Sequence, residues 1–232
     1  MFSAIIQKFV EKSPATVTVR ALMEYLLNPE RLDRWFTFTR RKQRTRDVLF
    51  SSLVGLMLNV VCRTHPSVRA AHGHAQLAVS LSAVYDKLKN MELTTSEAFV
   101  HDFAQDAAVL IKRLAAERPI WKPNLRIKYL DGNCLPASER RLKILRDSAA
   151  APLPGKALVI FEPQYDLITR VLLCPDGHAQ ERSQLGRVVD TIEADDVMVA
   201  DRNFCVTEFL TNIAQKSAYF VIRKHGNLTV NP

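Results

Sequence analysis

Hydrophobic positions recur at helical spacing through the first half of the chain. Ile5, Ile6, Phe9 and Val10 form one stripe, and Val19, Leu22, Met23, Leu26 and Leu27 form a second. Residues three and four apart share a helix face, so each stripe predicts an amphipathic helix. Asn28-Pro29 predicts the end of the second, because a residue before proline is pushed out of the helical region. The segment Asp47–Cys62 is apolar nearly all round and predicts a buried helix that forms the core of this half. Pro66 can open a short helix with a turn near Gly73. Ser80 reads as the N-cap of Leu81–Met91, whose Val84, Tyr85, Leu88 and Met91 share a face. Thr94-x-x-Glu97 fits a capping box, in which the two side chains bond each other's backbone N–H. It precedes a long amphipathic helix carrying Phe99, Phe103, Ala107, Leu110, Ile111 and Leu114. No strand pattern occurs before residue 124.

The period then changes. Arg118-Pro119-Ile120-Trp121-Lys122-Pro123 holds two prolines, which disfavour a continuing helix and divide the chain into regions 1–120 and 121–232. Leu125–Leu130, Ala157–Phe161 and Leu167–Cys174 read as strands, the last ending in the turn Pro175-Asp176-Gly177. Gln184–Ile192 reads as a helix, Val197–Ala200 as a fourth strand, Val206–Ala214 as a helix and Ala218–Ile222 as a fifth strand. Three consecutive strands can meander antiparallel, whereas strands separated by helices need crossovers and lie parallel. The expectation is α+β: a helical region followed by a mixed sheet flanked by helices.

Composition sharpens this. The chain of 232 residues has 47% apolar and 24% charged residues, ordinary for a globular protein and unlike a disordered or fibrous one. The longest apolar stretch, Val48–Cys62, falls short of the ~20 residues of a membrane span. Met1-Phe2-Ser3 lacks the basic start of a signal peptide. Cys62, Cys134, Cys174 and Cys205 form no CxxC pair, so a cytoplasmic, reducing compartment is expected. The net charge is +8, and residues 1–120 carry most of it, with 17 Lys/Arg against 11 Asp/Glu. An excess of that sign suits a polyanion but does not by itself name one.

The chemistry concentrates at two strand ends, Leu130-Asp131-Gly132-Asn133 and Ala200-Asp201-Arg202-Asn203-Phe204. If strands one and four are neighbours, Asp131 and Asp201 converge at one edge of the sheet. Two such carboxylates offer hard oxygen ligands to Mg²⁺ or Mn²⁺, and a metal held there can polarise a phosphodiester and activate a water or hydroxyl. The plainer alternative is that each Asp forms a turn or caps a helix.

Six blocks in order carry a resemblance. They are Asp131-Gly132-Asn133-Cys134-Leu135, Glu139-Arg140-Arg141-Leu142, Leu153-Pro154-Gly155-Lys156-Ala157 and Asp176-Gly177-His178-Ala179-Gln180-Glu181-Arg182, then Ala200-Asp201-Arg202-Asn203-Phe204-Cys205 and Tyr219-Phe220-Val221-Ile222-Arg223-Lys224-His225-Gly226-Asn227. Together they resemble the catalytic core of bacterial insertion-sequence transposases of the DDE class, IS-four type, over about 100 residues. The resemblance implies a ribonuclease-H-like fold and Mg²⁺-dependent cutting and joining of double-stranded DNA at element ends and target. Asp131 and Asp201 would be its first and second acidic metal ligands. It also implies a third acid, a Glu within a Tyr-Arg-Glu-Lys signature. No Tyr-x-x-Arg-x-x-x-Glu pattern follows Asp201, and Glu208 lies off the family position. The expectation is therefore the front part of a transposase, its core incomplete at the C-terminus and inactive alone. The alternative is a catalytically dead DNA-binding inhibitor of transposition.

The remaining candidates are expected around this frame. Arg202 and Asn203 can contact phosphate or the neighbouring carboxylate, or simply form a turn. Helix capping and a local ion pair are the expected roles of His178, Glu181 and Arg182, with metal binding as the alternative. Glu139, Arg140 and Arg141 read as a solvated loop. Arg40, Arg41, Lys42, Arg44 and Arg46 carry five positive charges within seven residues, a run that can release counterions from DNA. Ser80–Leu88 is similar to the recognition segment of a helix-turn-helix, with Ser82, Asp86, Lys87 and Lys89 as the exposed positions for groove or phosphate contact. A homodimer on paired DNA ends and association with the nucleoid would follow from the same reading.

Overall fold

The computed structural model describes residues 10–43, 48–135, 155–174, 180–224 and 226. The chain divides into two compact units, Met1–Ser96 and Glu97–Pro232. This division falls ahead of the proline-rich break, because the long helix that precedes the break holds contacts of its own with the sheet.

In the first unit the described elements are helices: α1 (Pro14–Leu26), α2 (Pro29–Thr39), α3 (Phe50–Val61), α4 (Val68–His74), α5 (Leu81–Lys89) and the start of α6 (Leu93–Arg113). Asn28-Pro29 ends one helix and also begins the next. The Asn28 side chain accepts from the Arg31 N–H at 3.0 Å, and Pro29 needs no donor at the first position of α2. The sequence pattern marks only the stop, and α2 itself emerges from the structure. Phe36, on α2, is fully buried and stacks on Phe50 of α3 with ring centroids 4.8 Å apart. Val48, Leu53, Leu56, Ala71 and Val84 form the neighbouring cluster, so α3 does supply core side chains. It is not buried all round: Val61 is 73% exposed.

Two local expectations are corrected and one is sharpened. The short helix α4 ends at His74 and the turn follows at residues 75–76, just past Gly73; the helix is capped by Ser67, whose hydroxyl accepts from the Ala70 N–H. Ser80 does cap α5, accepting from the Ala83 N–H, but the helix ends at Lys89. The Thr94–Glu97 capping box does not form, since α6 starts at Leu93 and Glu97 lies within it. The Glu97 carboxylate instead accepts from the Leu173 N–H at 2.6 Å and pairs with Arg187 at 2.7 Å. The Leu173 bond ties the helix to the sheet of its own unit, which a side chain turned back to Thr94 could not do.

The second unit holds a five-stranded sheet of order β3-β2-β1-β4-β5. Its strands are β1 (Arg126–Leu135), β2 (Gly155–Glu162), β3 (Leu167–Cys174), β4 (Asp196–Ala200) and β5 (Tyr219–Ile222). The first three meander antiparallel, and β1–β4 and β4–β5 run parallel. Helices α7 (Leu185–Val189) and α8 (Thr207–Gln215) make the two crossovers, each with a short 3₁₀ turn nearby, at Glu181–Gln184 and Arg202–Phe204. One face of the sheet gives Leu130, Ile160 and Met198 to the core, and α7 and α8 cover it with Val188, Phe209 and Ile213. This is an α+β architecture with a mixed five-stranded sheet. No described helix is long and apolar enough to cross a membrane.

Candidate functional site

The parallel register pairs Leu130 of β1 with Ala200 of β4. Asp131 and Asp201 are the residues that follow this pair: Asp131 lies within β1, which stays paired with β2 as far as Leu135, and Asp201 comes directly after the end of β4; both are exposed. The expected strand-end position therefore holds at Asp201 and not at Asp131. Leu130, buried in the core, fixes the start of this place on β1, and the buried Val197 and Met198 do the same on β4.

Each carboxylate is bonded to nearby backbone. Asp131 Oδ1 accepts from the Gly132 N–H at 2.8 Å. Asp201 Oδ1 accepts from the Asn203 N–H at 2.7 Å and so caps the 3₁₀ turn Arg202–Phe204. The capping role foreseen as the plainer alternative is thus present at Asp201, on one of its oxygens. Among the described residues no group of three or more His, Cys, Asp and Glu side chains converges in a form that could hold a metal ion.

The surroundings of the pair contain a group that the sequence reading placed elsewhere. A Cβ at Gly132 would lie 2.5 Å from Glu181 Cδ and 2.6 Å from Glu181 Oε1. The Glu181 carboxylate therefore occupies the space that any other residue at position 132 would fill. Asn203 Nδ2 donates to Glu181 Oε2 at 2.7 Å, and Arg182 Nε donates to the Asn203 carbonyl at 2.7 Å. Glu181 and Arg182 thus bridge two segments distant in sequence. The signal was the glycine directly after Asp131, a position within β1 that has no side chain. Arg202 is exposed, and Glu208 lies in the first turn of α8, also exposed.

The same unit holds a cavity of about 370 Å³, lined by residues that include His101, Lys112, Arg126, Lys128, Tyr165 and Arg170; neither Asp131 nor Asp201 lines it. Its cations are largely matched. The fully buried Asp196 accepts from Arg126 Nε at 2.8 Å and Lys128 Nζ at 2.7 Å, and Lys112 lies over the Tyr165 ring.

In the helical unit, the Glu92 carboxylate accepts from the backbone N–H groups of Arg41 (2.9 Å) and Lys42 (2.6 Å). Those two bonds, the Arg41 bond first, hold the Glu92 carboxyl below the usual range. They pin the start of the basic run and leave Arg41 and Lys42 exposed. Arg40 folds inward, its guanidinium donating to the Gln43 carbonyl. Ser82, Asp86 and Lys89 are exposed on α5. Lys87 differs from its expected exposure: it is half-buried, with Nζ 4.5 Å from the centroid of the Phe36 ring. Burial, then the Arg40 charge, pushes its ammonium below the ordinary value. Arg44, Arg46, Glu139–Arg141 and His178 lie outside the described residues.

No family profile matches the sequence, and a comparison with curated proteins finds no match. Among solved structures the chain is similar to the cryo-EM structure of a piggyBac transposase synaptic complex with hairpin DNA. The identity is 11% and the TM-score 0.38, over 91% of this chain and 50% of that one. The chain spans about half the length of that protein.

Proposed function

We propose that this chain carries the DNA-binding region and the first two metal-binding aspartates of a DDE-class insertion-sequence transposase of the IS-four type. The observation that carries the reading is the parallel β1–β4 register, whose last pair, Leu130↔Ala200, directly precedes Asp131 and Asp201. The six sequence blocks support it independently. Two exposed carboxylates are hard oxygen donors of the kind Mg²⁺ takes in ones and twos, leaving its other positions for water and substrate phosphate. Asp131 and Asp201 would hold Mg²⁺ or Mn²⁺, and the bound ion would supply Lewis-acid activation for phosphodiester hydrolysis and strand transfer. The chain's own carboxylates orient that ion at the sheet edge. Arg202, exposed beside Asp201, would meet the DNA backbone, and Asn203 would act through its bond to Glu181. Arg41, Lys42, Lys89 and Ser82, with Arg40, Arg44, Arg46 and Lys87 in the same segments, would contact the terminal repeats of the element, with two copies acting on paired ends.

The test uses the duplex repeats that flank the coding sequence. The chain should bind them in a gel shift that weakens with salt. Supplied in one polypeptide with a segment bearing the family's third acid, it should cut them only with Mg²⁺ or Mn²⁺. Asp131→Ala and Asp201→Ala should each abolish cutting and leave binding intact. Cutting that survives either substitution would sink the assignment. Binding that is never accompanied by cutting would instead identify a DNA-binding inhibitor.

A further inference from the structure

Glu181 belongs to neither of the strands that carry the aspartates, yet it touches the residue after one and the loop after the other. Its carboxylate lies where a Gly132 side chain would be, and Asn203 Nδ2 donates to it at 2.7 Å. Asn203 in turn donates its own N–H to Asp201 Oδ1, and its carbonyl accepts from Arg182 Nε. The connected path runs Gly132, Glu181, Asn203, Asp201, with Asp131 directly before its first member. The β1–β4 ladder stops at Leu130↔Ala200, and past it β1 is paired with β2 alone, as far as Leu135↔Gly155. Beyond Leu130↔Ala200 the register gives Asp131 and Asp201 no shared backbone bonds; Glu181, set on Gly132 and bonded to Asn203, joins the two segments there, beside the Arg182 bond to the Asn203 carbonyl.

We propose that Glu181 is a positioning residue: wedged on Gly132 and held by Asn203, it sets the spacing of Asp131 and Asp201 without itself ligating the metal. This rests on the metal-site reading above. Groups that orient metal ligands from behind commonly matter 10–100-fold for affinity. The wedge works by contact and by accepting one hydrogen bond. A glutamine, with a carbonyl oxygen in place of the accepting carboxylate oxygen, can do the same without the charge.

The experiment titrates Mn²⁺ into the full chain and follows the free-ion EPR signal, with a thermal melt of every variant. Glu181→Ala should weaken Mn²⁺ binding by roughly tenfold, and Glu181→Gln should restore it to within about twofold of the parent chain. Gly132→Ala, whose methyl displaces the wedge, should weaken binding to a similar degree. Combined with Glu181→Ala it should add little, since both act on one contact. If Glu181→Ala shows no cooperative melt, Asn203→Ala removes the donor instead and takes its place in the series. Unchanged binding in Glu181→Ala overturns the proposal. So does binding in Glu181→Gln as weak as in Glu181→Ala, which would make the charge, not the wedge, responsible. Additive losses in the Gly132→Ala double variant count against it equally. Asp131→Asn and Asp201→Asn serve as the separate control. If neither weakens Mn²⁺ binding, the metal site itself fails, an outcome distinct from loss of the wedge alone.

Discussion

Asp196 carries more electrostatic weight than any aspartate at the strand ends. It is fully buried and accepts from Arg126, Lys128 and the Glu193 N–H at 2.8 Å. Removing one member of a buried pair strands the other charge in a low-dielectric interior. Asp196→Ala should therefore lower the unfolding free energy by about 3–5 kcal/mol, read by urea denaturation. A loss of only a few tenths of a kcal/mol, the size of an exposed pair, would mean that solvent already reaches this cluster. His101 gives a prediction in pH. Burial, then the Arg170 charge, pushes its imidazole below the ordinary value. The unfolded chain therefore takes up the proton first, near its usual value of about 6.5. The neutral histidine's contribution is present above that pH and is lost as pH falls through the lower folded-state value. The melting temperature should fall from pH 7 toward pH 5, and His101→Gln should flatten part of that fall. An identical slope in the variant would show that carboxylates account for all of it.

At the scale of elements, helix ends are held by residues that do not belong to them. Helix α3 begins after Leu49, which offers no capping side chain. Its first-turn donor is met from α2: Asp33 Oδ1 accepts from the Ser51 N–H at 2.8 Å, and Oδ2 from the Ser51 hydroxyl at 2.7 Å. A negative charge there also opposes the positive end of the helix dipole. Asp33→Ala should cost about 1 kcal/mol, in the range of a lost cap. Asn28→Ala, which uncaps α2 itself, should cost a similar amount. Chemical denaturation of both single variants and the pair checks this, because α2 and α3 pack through Phe36 and Phe50 and the two losses should couple. Strict additivity would mean that the two caps act on separately melting helices. Glu97 shows the same economy in the other unit, since one carboxylate holds Leu173 of β3 and Arg187 of α7.

At the scale of the whole molecule, the +8 charge and the basic run make a statement about salt. Counterion release lowers the logarithm of the binding constant by roughly 0.9 per phosphate contact for each decade of salt. On the proposed DNA-binding reading, Arg41→Ala and Lys42→Ala should each weaken binding to any duplex and reduce the slope by about one contact, measured by fluorescence anisotropy across a salt series. A loss confined to one DNA sequence would instead indicate base readout. The amino-acid sequence by itself determined the five strands, most helices, the cap at Ser80 and the strand end at Asp201. All of these depend on local periodicity or on a residue acting within one turn of itself, which a linear pattern records. The helix at Pro29–Thr39 escaped because one dipeptide serves as stop and start together. Only the tertiary structure decided what crosses between distant segments: that β1 and β4 are neighbours, that Asp33 caps a helix 18 residues on, that Asp196 neutralises Arg126 and Lys128, and that Glu181 fills the space above Gly132. Such contacts form when chain segments tens of residues apart are brought together by burial of the apolar strand faces. No local spacing encodes which polar group will be waiting there.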